Sequence, residues 1–419
     1  MTPDTASPLW IEPGENPSRY MRGIPVPPEA RVTRDLSWAT DGEKALWATQ
    51  NVSRIVPVDV LARGEGPVWA LPHGPSALGA EVRGADGQHK PLTAAVAEIR
   101  ANGFLAIRKG RIVAELYRNG LRPQTRHALF SVTKSMLGMT CGVLIGDGLL
   151  DPIRPARDYL PELDTCGFRD ATLQQVMDMT ASVDWNHNRD DPRASVNLNS
   201  IAGGFTTLPI EVPFANTLEF IQSLGPKDPH GTIFTYNPAN TEILGWIISR
   251  LTGQVWQQVF ADRIWSQIGA EQDAFVTVDG GGHGFATAGM QACLRDMGRI
   301  GLLLARGGVA GSRRILPQGF VADIGCEDPA LRQAMARSVH AEAGEESATY
   351  RNQFWVQDGA RGEFCALGFL GQTIYIDRAS DTVVVVLSAV PGPQTRAQHR
   401  DLARQIAAWP DVPSAKDLP

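Results

Sequence analysis

The chain has 419 residues, 43% of them hydrophobic and 20% charged, with a net charge of −6. That length and balance describe a globular protein with ample core, built as two or three domains or as one large two-lobed unit. The acidic balance gives no electrostatic case for nucleic acid, no apolar run reaches the length of a membrane span, and the start Met1–Pro8 reads as lacking a signal peptide.

In chain order, residues 1 to about 90 are rich in Pro and Gly with scattered short apolar runs, and predict an N-terminal strap, residues 1–95, packed on the body. Phe104–Arg108 and Arg111–Tyr117 flank Lys109-Gly110 and predict a β-hairpin. A helix follows over 131–146, stopped by Gly146-Asp-Gly148. Residues 151–270 carry mainly helical patterns, interrupted by the loop 183–192. Glu242–Thr252 and Val255–Ile268 predict two successive helices, Gly280–Gly284 a turn, and Thr287–Ala305 another helix. Strands return at Asn352–Val356, Thr373–Ile376 and Asp381–Leu387, and a last helix is expected near 395–408. Early strands, a helical middle and late strands imply an α/β fold with one central antiparallel sheet flanked by helices. On this reading residues 96–150 and 271–419 form the α/β lobe, and 151–270 an inserted, mainly helical lobe. No internal repeat occurs.

The five cysteines, at 141, 166, 293, 326 and 365, are odd in number and include no Cys-x-x-Cys. Cys141 falls in the 131–146 helix and reads as a small hydrophobe. A reduced, cytoplasmic protein is the expectation.

Chemistry concentrates in Phe130-Ser131-Val-Thr-Lys134-Ser. Three residues apart on a helix, Ser131 and Lys134 share one face. The run from Met136 to Ile145 is apolar apart from Thr140, so the helix reads as buried. A buried lysine is disfavoured as the ammonium and becomes available as a base, and the hydroxyl beside it needs a base to become a nucleophile. With 19 serines and 6 lysines in the chain a chance Ser-x-x-Lys is not rare. Only one occurs, however, at the head of the best buried-helix candidate. The competing reading makes Ser131 an N-cap and Lys134 a solvated first-turn residue.

Two further segments complete a candidate site. Tyr236, in Phe234-Thr-Tyr236-Asn-Pro-Ala-Asn240, can share proton transfer with a weakly basic lysine; the alternative is a half-buried aromatic that anchors a loop. It precedes a helix for which Asn240 is a plausible N-cap. The segment Ala366-Leu-Gly368-Phe369-Leu370-Gly-Gln372, entering the strand at Thr373, is small enough for a backbone N–H to approach a substrate. Paired with the N–H of Ser131, it can form an oxyanion hole. The alternative there is a plain glycine-rich strand entry.

Together these motifs resemble the serine β-lactamase-like superfamily, in particular its class C and esterase branch, and within it the 6-aminohexanoate-dimer (nylon oligomer) hydrolases. His283-Gly-Phe-Ala-Thr-Ala-Gly-Met also resembles that group, and the likeness runs from about residue 100 to 390. It implies that Ser131 is the nucleophile, Lys134 the base and Tyr236 the proton relay. The N–H groups of Ser131 and Phe369 would form the oxyanion hole, with Gly368 and Leu370 beside the substrate. It implies an acyl-enzyme, a small ester or amide substrate, and no metal or organic cofactor.

The departures from the family pattern are specific. Where penicillin-recognising members carry Lys-Thr-Gly, this chain has Ala366-Leu367-Gly368. Pro238 stands where the tyrosine motif usually has Asn, and Asn240 cannot be assumed to replace it. Where the nylon oligomer hydrolases place an assisting tyrosine, this chain has Arg189, which either meets a substrate carboxylate or pairs with Asp190 or Asp191. Trp185 lines the cleft or fills the core; Trp246, Trp256 and Trp265 read as packing. His187 with Asp184, Asp190 and Asp191 lacks metal-ligand spacing. The leading expectation is a hydrolase of carboxylic esters or amides. A transacylase using the same acyl-enzyme, or a silent acyl- or peptide-binding protein on this scaffold, is the alternative. No Gly-x-Ser-x-Gly elbow supports an α/β-hydrolase. The oligomeric state is open.

Overall fold

The computed structural model describes residues 7–13, 19–326, 328–339, 349–390 and 393–410. Residues 1–6, which carry most of the signal-peptide reading, lie outside them. A sheet of eight strands forms the centre, in the order Leu9–Ile11, Arg111–Tyr117, Ala101–Arg108, Thr382–Ser388, Thr373–Asp377, Glu363–Leu367, Phe354–Asp358, Thr349–Arg351. Every neighbouring pair is antiparallel except the first. Leu9–Ile11 runs parallel to Glu115–Tyr117, which makes the sheet mixed where a purely antiparallel one was expected.

Both faces of the sheet are buried. Leu105, Ile107, Val383 and Val385 point to one face and pack with Met297 and Ile300 of the helix Leu294–Ala305. Phe104, Ala106, Val384 and Val386 point to the other and meet Leu402 and Ile406 of the last helix, Pro393–Ala407. Period-two side chains buried on both sides require an unbroken apolar strand, which accounts for Val383-Val-Val-Val-Leu387.

Several boundaries depart from the sequence reading. The helix expected from Thr287 starts at Leu294, because Met290–Ala292 instead pairs with Phe275–Val276 and His127–Ala128. The expected strand Asn352–Val356 is one arm of a hairpin, Thr349–Arg351 with Phe354–Asp358. Its turn, Asn352-Gln353, has φ of 52° and 69°, the left-handed pair that twists a tight hairpin correctly. The helix expected over Val255–Ile268 runs only from Trp256 to Arg263, and Ile264 (φ −127°, ψ −60°) breaks it. The first ninety residues are more than a cover. Val58–Leu61 pairs antiparallel with Ala274–Thr277, at one edge of a four-stranded sheet whose other edge is His127–Ala128.

Among the described residues no helix is long and apolar enough to cross a membrane. All five cysteines are free thiols, and Cys141 is fully buried.

Candidate active site

The helix Val132–Gly146 runs through the interior, buried from Val132 to Leu144. Gly138 lets it lie against the hairpin turn, since a Cβ there would stand 2.3 Å from the Asn352 carbonyl oxygen. Ser131 occupies the N-cap position, yet its side chain makes no cap hydrogen bond. Its hydroxyl instead lies 2.9 Å from Lys134 Nζ. Lys134 is 1% exposed, so a solvated first-turn lysine is ruled out.

Phe130, just before Ser131, holds φ +48°, a conformation that costs a non-glycine residue about 1–3 kcal/mol unless its surroundings impose it. Here they do. The Phe130 carbonyl accepts from the Thr133 hydroxyl at 2.6 Å, and its ring packs edge-on against Phe205 and Phe369. The Leu129 N–H donates to the Met290 carbonyl, and the Met290 N–H donates back to the Thr133 hydroxyl.

Lys134 Nζ also donates to the Thr287 carbonyl at 2.8 Å. The Thr287 N–H in turn donates to Glu242 Oε1 at 2.8 Å, while the Thr217 hydroxyl donates to Oε2. Burial pushes Lys134 down to about 7, against the pull of Glu242 and with the help of Arg189 and Arg396. Burial likewise pushes Glu242 up to about 7, opposed by Thr287 and by Lys134. An amine that titrates near neutrality beside a hydroxyl can take that hydroxyl's proton.

Tyr236 is half-buried, its ring stacked on Trp355 with centroids 5.3 Å apart and edge-on to Tyr350. Lys134 Nζ lies 5.1 Å from the Tyr236 ring centroid. The next residue, Asn237, accepts from the Ala239 N–H and caps the helix Pro238–Thr252, with Pro238 at its first position. The cap expected at Asn240 is therefore Asn237. Asn240 is fully buried in the first turn, where its amide donates to the Ala181 carbonyl at 3.5 Å.

Ala366-Leu367 ends the strand Glu363–Leu367, and Phe369–Gly371 forms a single turn before Thr373. A Cβ at Gly368 would lie 2.3 Å from the Leu129 carbonyl, so only glycine lets this turn meet the Ser131 segment. Among the described residues, no other group accepts from the N–H of Ser131 or of Phe369. Leu370 is buried in the cluster that holds Trp38 and Phe130, not beside the chamber.

These elements enclose a chamber of about 140 Å³. Ser131, Lys134, Tyr236, Thr287, Arg189 and Phe369 line it, with an apolar wall that includes Trp38, Phe205 and Phe285. Trp185 is not part of the lining; it packs edge-on against Phe220 in the core. Trp256 and Trp265 are fully buried packing residues. Among the described residues no three His, Cys, Asp or Glu side chains converge as a metal site would need. The sequence reading missed Trp38, Phe205, Phe285, Thr287 and Glu242. Of these, Phe285 and Thr287 lay in the quoted stretch from His283, and Glu242 opened an expected helix.

Residues 92–408 match the family model described as Beta-lactamase. The chain belongs to that family and is an enzyme of the β-lactamase-like serine hydrolase superfamily. Among its relatives is the 6-aminohexanoate-dimer hydrolase of Paenarthrobacter ureafaciens, 32% identical over 386 residues that cover 92% of this chain and 94% of that protein. A solved structure from Bacillus anthracis, provisionally described as the same hydrolase, superposes with a TM-score of 0.80 at 27% identity, covering 90% of this chain and 96% of that one. A family VIII carboxylesterase shares the fold at 17% identity and a TM-score of 0.52, over 73% of this chain and 92% of its own.

Proposed function

We propose that the protein hydrolyses carboxylic esters or amides through an acyl-enzyme on Ser131. The observation that carries this reading is the 2.9 Å contact between a buried Lys134 amine and the Ser131 hydroxyl. Neutral Lys134 takes the hydroxyl proton as the oxygen attacks the substrate carbonyl. The N–H groups of Ser131 and Phe369 hold the developing oxyanion. Tyr236, beside Lys134, passes the proton to the leaving alcohol or amine. Water then attacks the acyl carbonyl, a proton returns to Ser131, and the carboxylic acid leaves. Glu242 is a positioning residue: through Thr287 it holds Lys134 in line and sets how readily the amine gives up its charge.

Amide cleavage is supported by the 6-aminohexanoate-dimer hydrolase relative. Ala366-Leu367-Gly368 offers no cation or hydroxyl for a β-lactam carboxylate, so penicillin turnover is expected to be poor. The free cysteines fit a reducing, cytoplasmic setting.

The test is mass spectrometry of the intact protein and its peptides at several times after mixing with a p-nitrophenyl ester. An acyl adduct on Ser131 that appears and decays is expected. A lasting adduct would favour acyl transfer to another acceptor, and no adduct at any time would refute the nucleophile.

A further inference from the structure

Arg189 stands on the loop between Asp184 and Ala194, and that loop is built to hold its backbone still. The Asn197 amide donates to the carbonyls of Arg189 and Asp191, at 2.9 and 2.8 Å. The Asn188 and Asp190 N–H groups donate to the side chains of Asn186 and Asn188, and the Asn186 N–H donates to the Ser195 hydroxyl.

Among the described residues, the guanidinium itself is left without an acid. Two aspartates follow directly in sequence, but Asp191 accepts from the Arg193 N–H and from the Asn186 amide instead. Among the described residues, Arg189 makes no ion pair with either aspartate. Its guanidinium carbon lies 5.8 Å from the centroid of Phe369, the residue whose N–H is the proposed second oxyanion donor. None of the described residues lining the chamber is acidic, although the protein as a whole carries a charge of −6. A permanent cation on a fixed loop, at a chamber with no acid in its wall, is matched by an anion from outside. The planar fork of arginine suits a carboxylate.

We propose that Arg189 docks a carboxylate carried by the substrate, so that the preferred substrates are short-chain esters or amides bearing one carboxylate a few bonds from the scissile carbonyl. This rests on the acyl-enzyme reading. The chamber of about 140 Å³ is smaller than the roughly 300 Å³ at which pockets for larger ligands begin, which keeps the acyl group short.

The test compares two pairs of esters. In the first, p-nitrophenyl hydrogen adipate is set against its methyl ester, placing the charge on the acyl side. In the second, 4-carboxyphenyl butyrate is set against its methyl ester, placing the charge on the leaving group. The wild type should favour the anionic member of at least one pair by about tenfold in kcat/KM. Arg189→Gln should bring that ratio close to one while neutral esters still react, Arg189→Lys should keep part of it, and added salt should weaken it. Equal rates within both pairs, or a ratio that survives Arg189→Gln, would overturn the proposal. Failure of every ester, neutral ones included, together with no adduct on Ser131, would sink the acyl-enzyme reading and this proposal with it.

Discussion

Lys134 and Glu242 never touch, yet one residue joins them. The Thr287 carbonyl accepts from Nζ at 2.8 Å, and the Thr287 N–H donates to the Glu242 carboxylate at 2.8 Å. When ionised, Glu242 therefore acts on the lysine as a negative charge in a dry setting, where such a charge counts for more than in water, although burial raises its own carboxyl to about 7. In its proposed role as base, the lysine works only when neutral. Because burial brings it to about 7, kcat/KM should fall as pH drops through 7. Glu242→Gln keeps an acceptor for Thr287 but removes the charge that favours the ammonium, so the amine should lose its proton more easily. The acid limb of the pH–rate profile should therefore move to lower pH. A limb that stays in place, or moves up, would remove Glu242 from the proton balance.

Loss of the proposed base and loss of the proposed relay should differ in size. Lys134→Ala removes the proposed proton acceptor, an amine 2.9 Å from the Ser131 hydroxyl, and should cost about 10⁴-fold or more in kcat, as Ser131→Ala should if nucleophile and base act as a unit. Tyr236→Phe keeps the stack on Trp355 and loses only the hydroxyl. Its cost should be about 10²–10⁴-fold, the usual worth of acid–base assistance. Burst kinetics with a p-nitrophenyl ester would separate these cases, and wild-type rates in Lys134→Ala would show that the base has been misassigned.

Gly368 couples the two halves of the proposed oxyanion hole. A Cβ there would meet the Leu129 carbonyl at 2.3 Å and the Gln372 Cβ at 2.9 Å. Leu129 is two residues from Ser131, so an added methyl must push the Phe369 turn away from Ser131. Gly368→Ala should lower stability by about 1–3 kcal/mol, as overpacking does, and lower kcat by about 10²–10³-fold, as loss of one oxyanion donor does. Thermal unfolding and steady-state kinetics on one preparation would check both. Unchanged kcat with lowered stability would leave Gly368 a packing residue only.

What the sequence disclosed, and what it hid, follows from how each residue acquires its role. Ser131 and Lys134 were legible because the apolar run that follows them makes a surface lysine hard to explain. The sheet was legible because burial on both faces writes itself as Val383–Leu387. Glu242 was hidden. A glutamate in the first turns of a helix is ordinary surface composition, and only the approach of Thr287 and Thr217 across the fold makes it a buried charge. Asn237 rather than Asn240 caps its helix because Pro238 is suited to the first helical position, a cue that lay in the sequence and was passed over. The hairpin at Asn352-Gln353 was hidden for another reason, since neither residue is the glycine that usually marks a left-handed turn. Trp38 lines the chamber from a segment that carries little of the family pattern, so its place depends wholly on tertiary packing.

The apolar wall should set the length of acyl group that is accepted. Phe205 stands edge-on to Phe130 and is stacked on Phe285 at 5.5 Å. Trimming it removes one of the two rings packed edge-on against Phe130, while Phe369 and the Thr133 hydroxyl still hold Phe130 in place. Phe205→Ala removes a ring from a chamber of about 140 Å³, and the freed space lies where an acyl chain can extend. The ratio of kcat/KM for p-nitrophenyl octanoate over acetate should rise by about tenfold, the scale on which an apolar pocket discriminates chain length. The Ser131 adduct should still form, and stability should fall, because two rings, Phe130 and Phe285, lose a neighbour. If the octanoate-to-acetate ratio stayed at the wild-type value in a folded Phe205→Ala protein, the acyl chain must extend away from this wall, and Trp38 and Phe285 would lose their assignment as its lining.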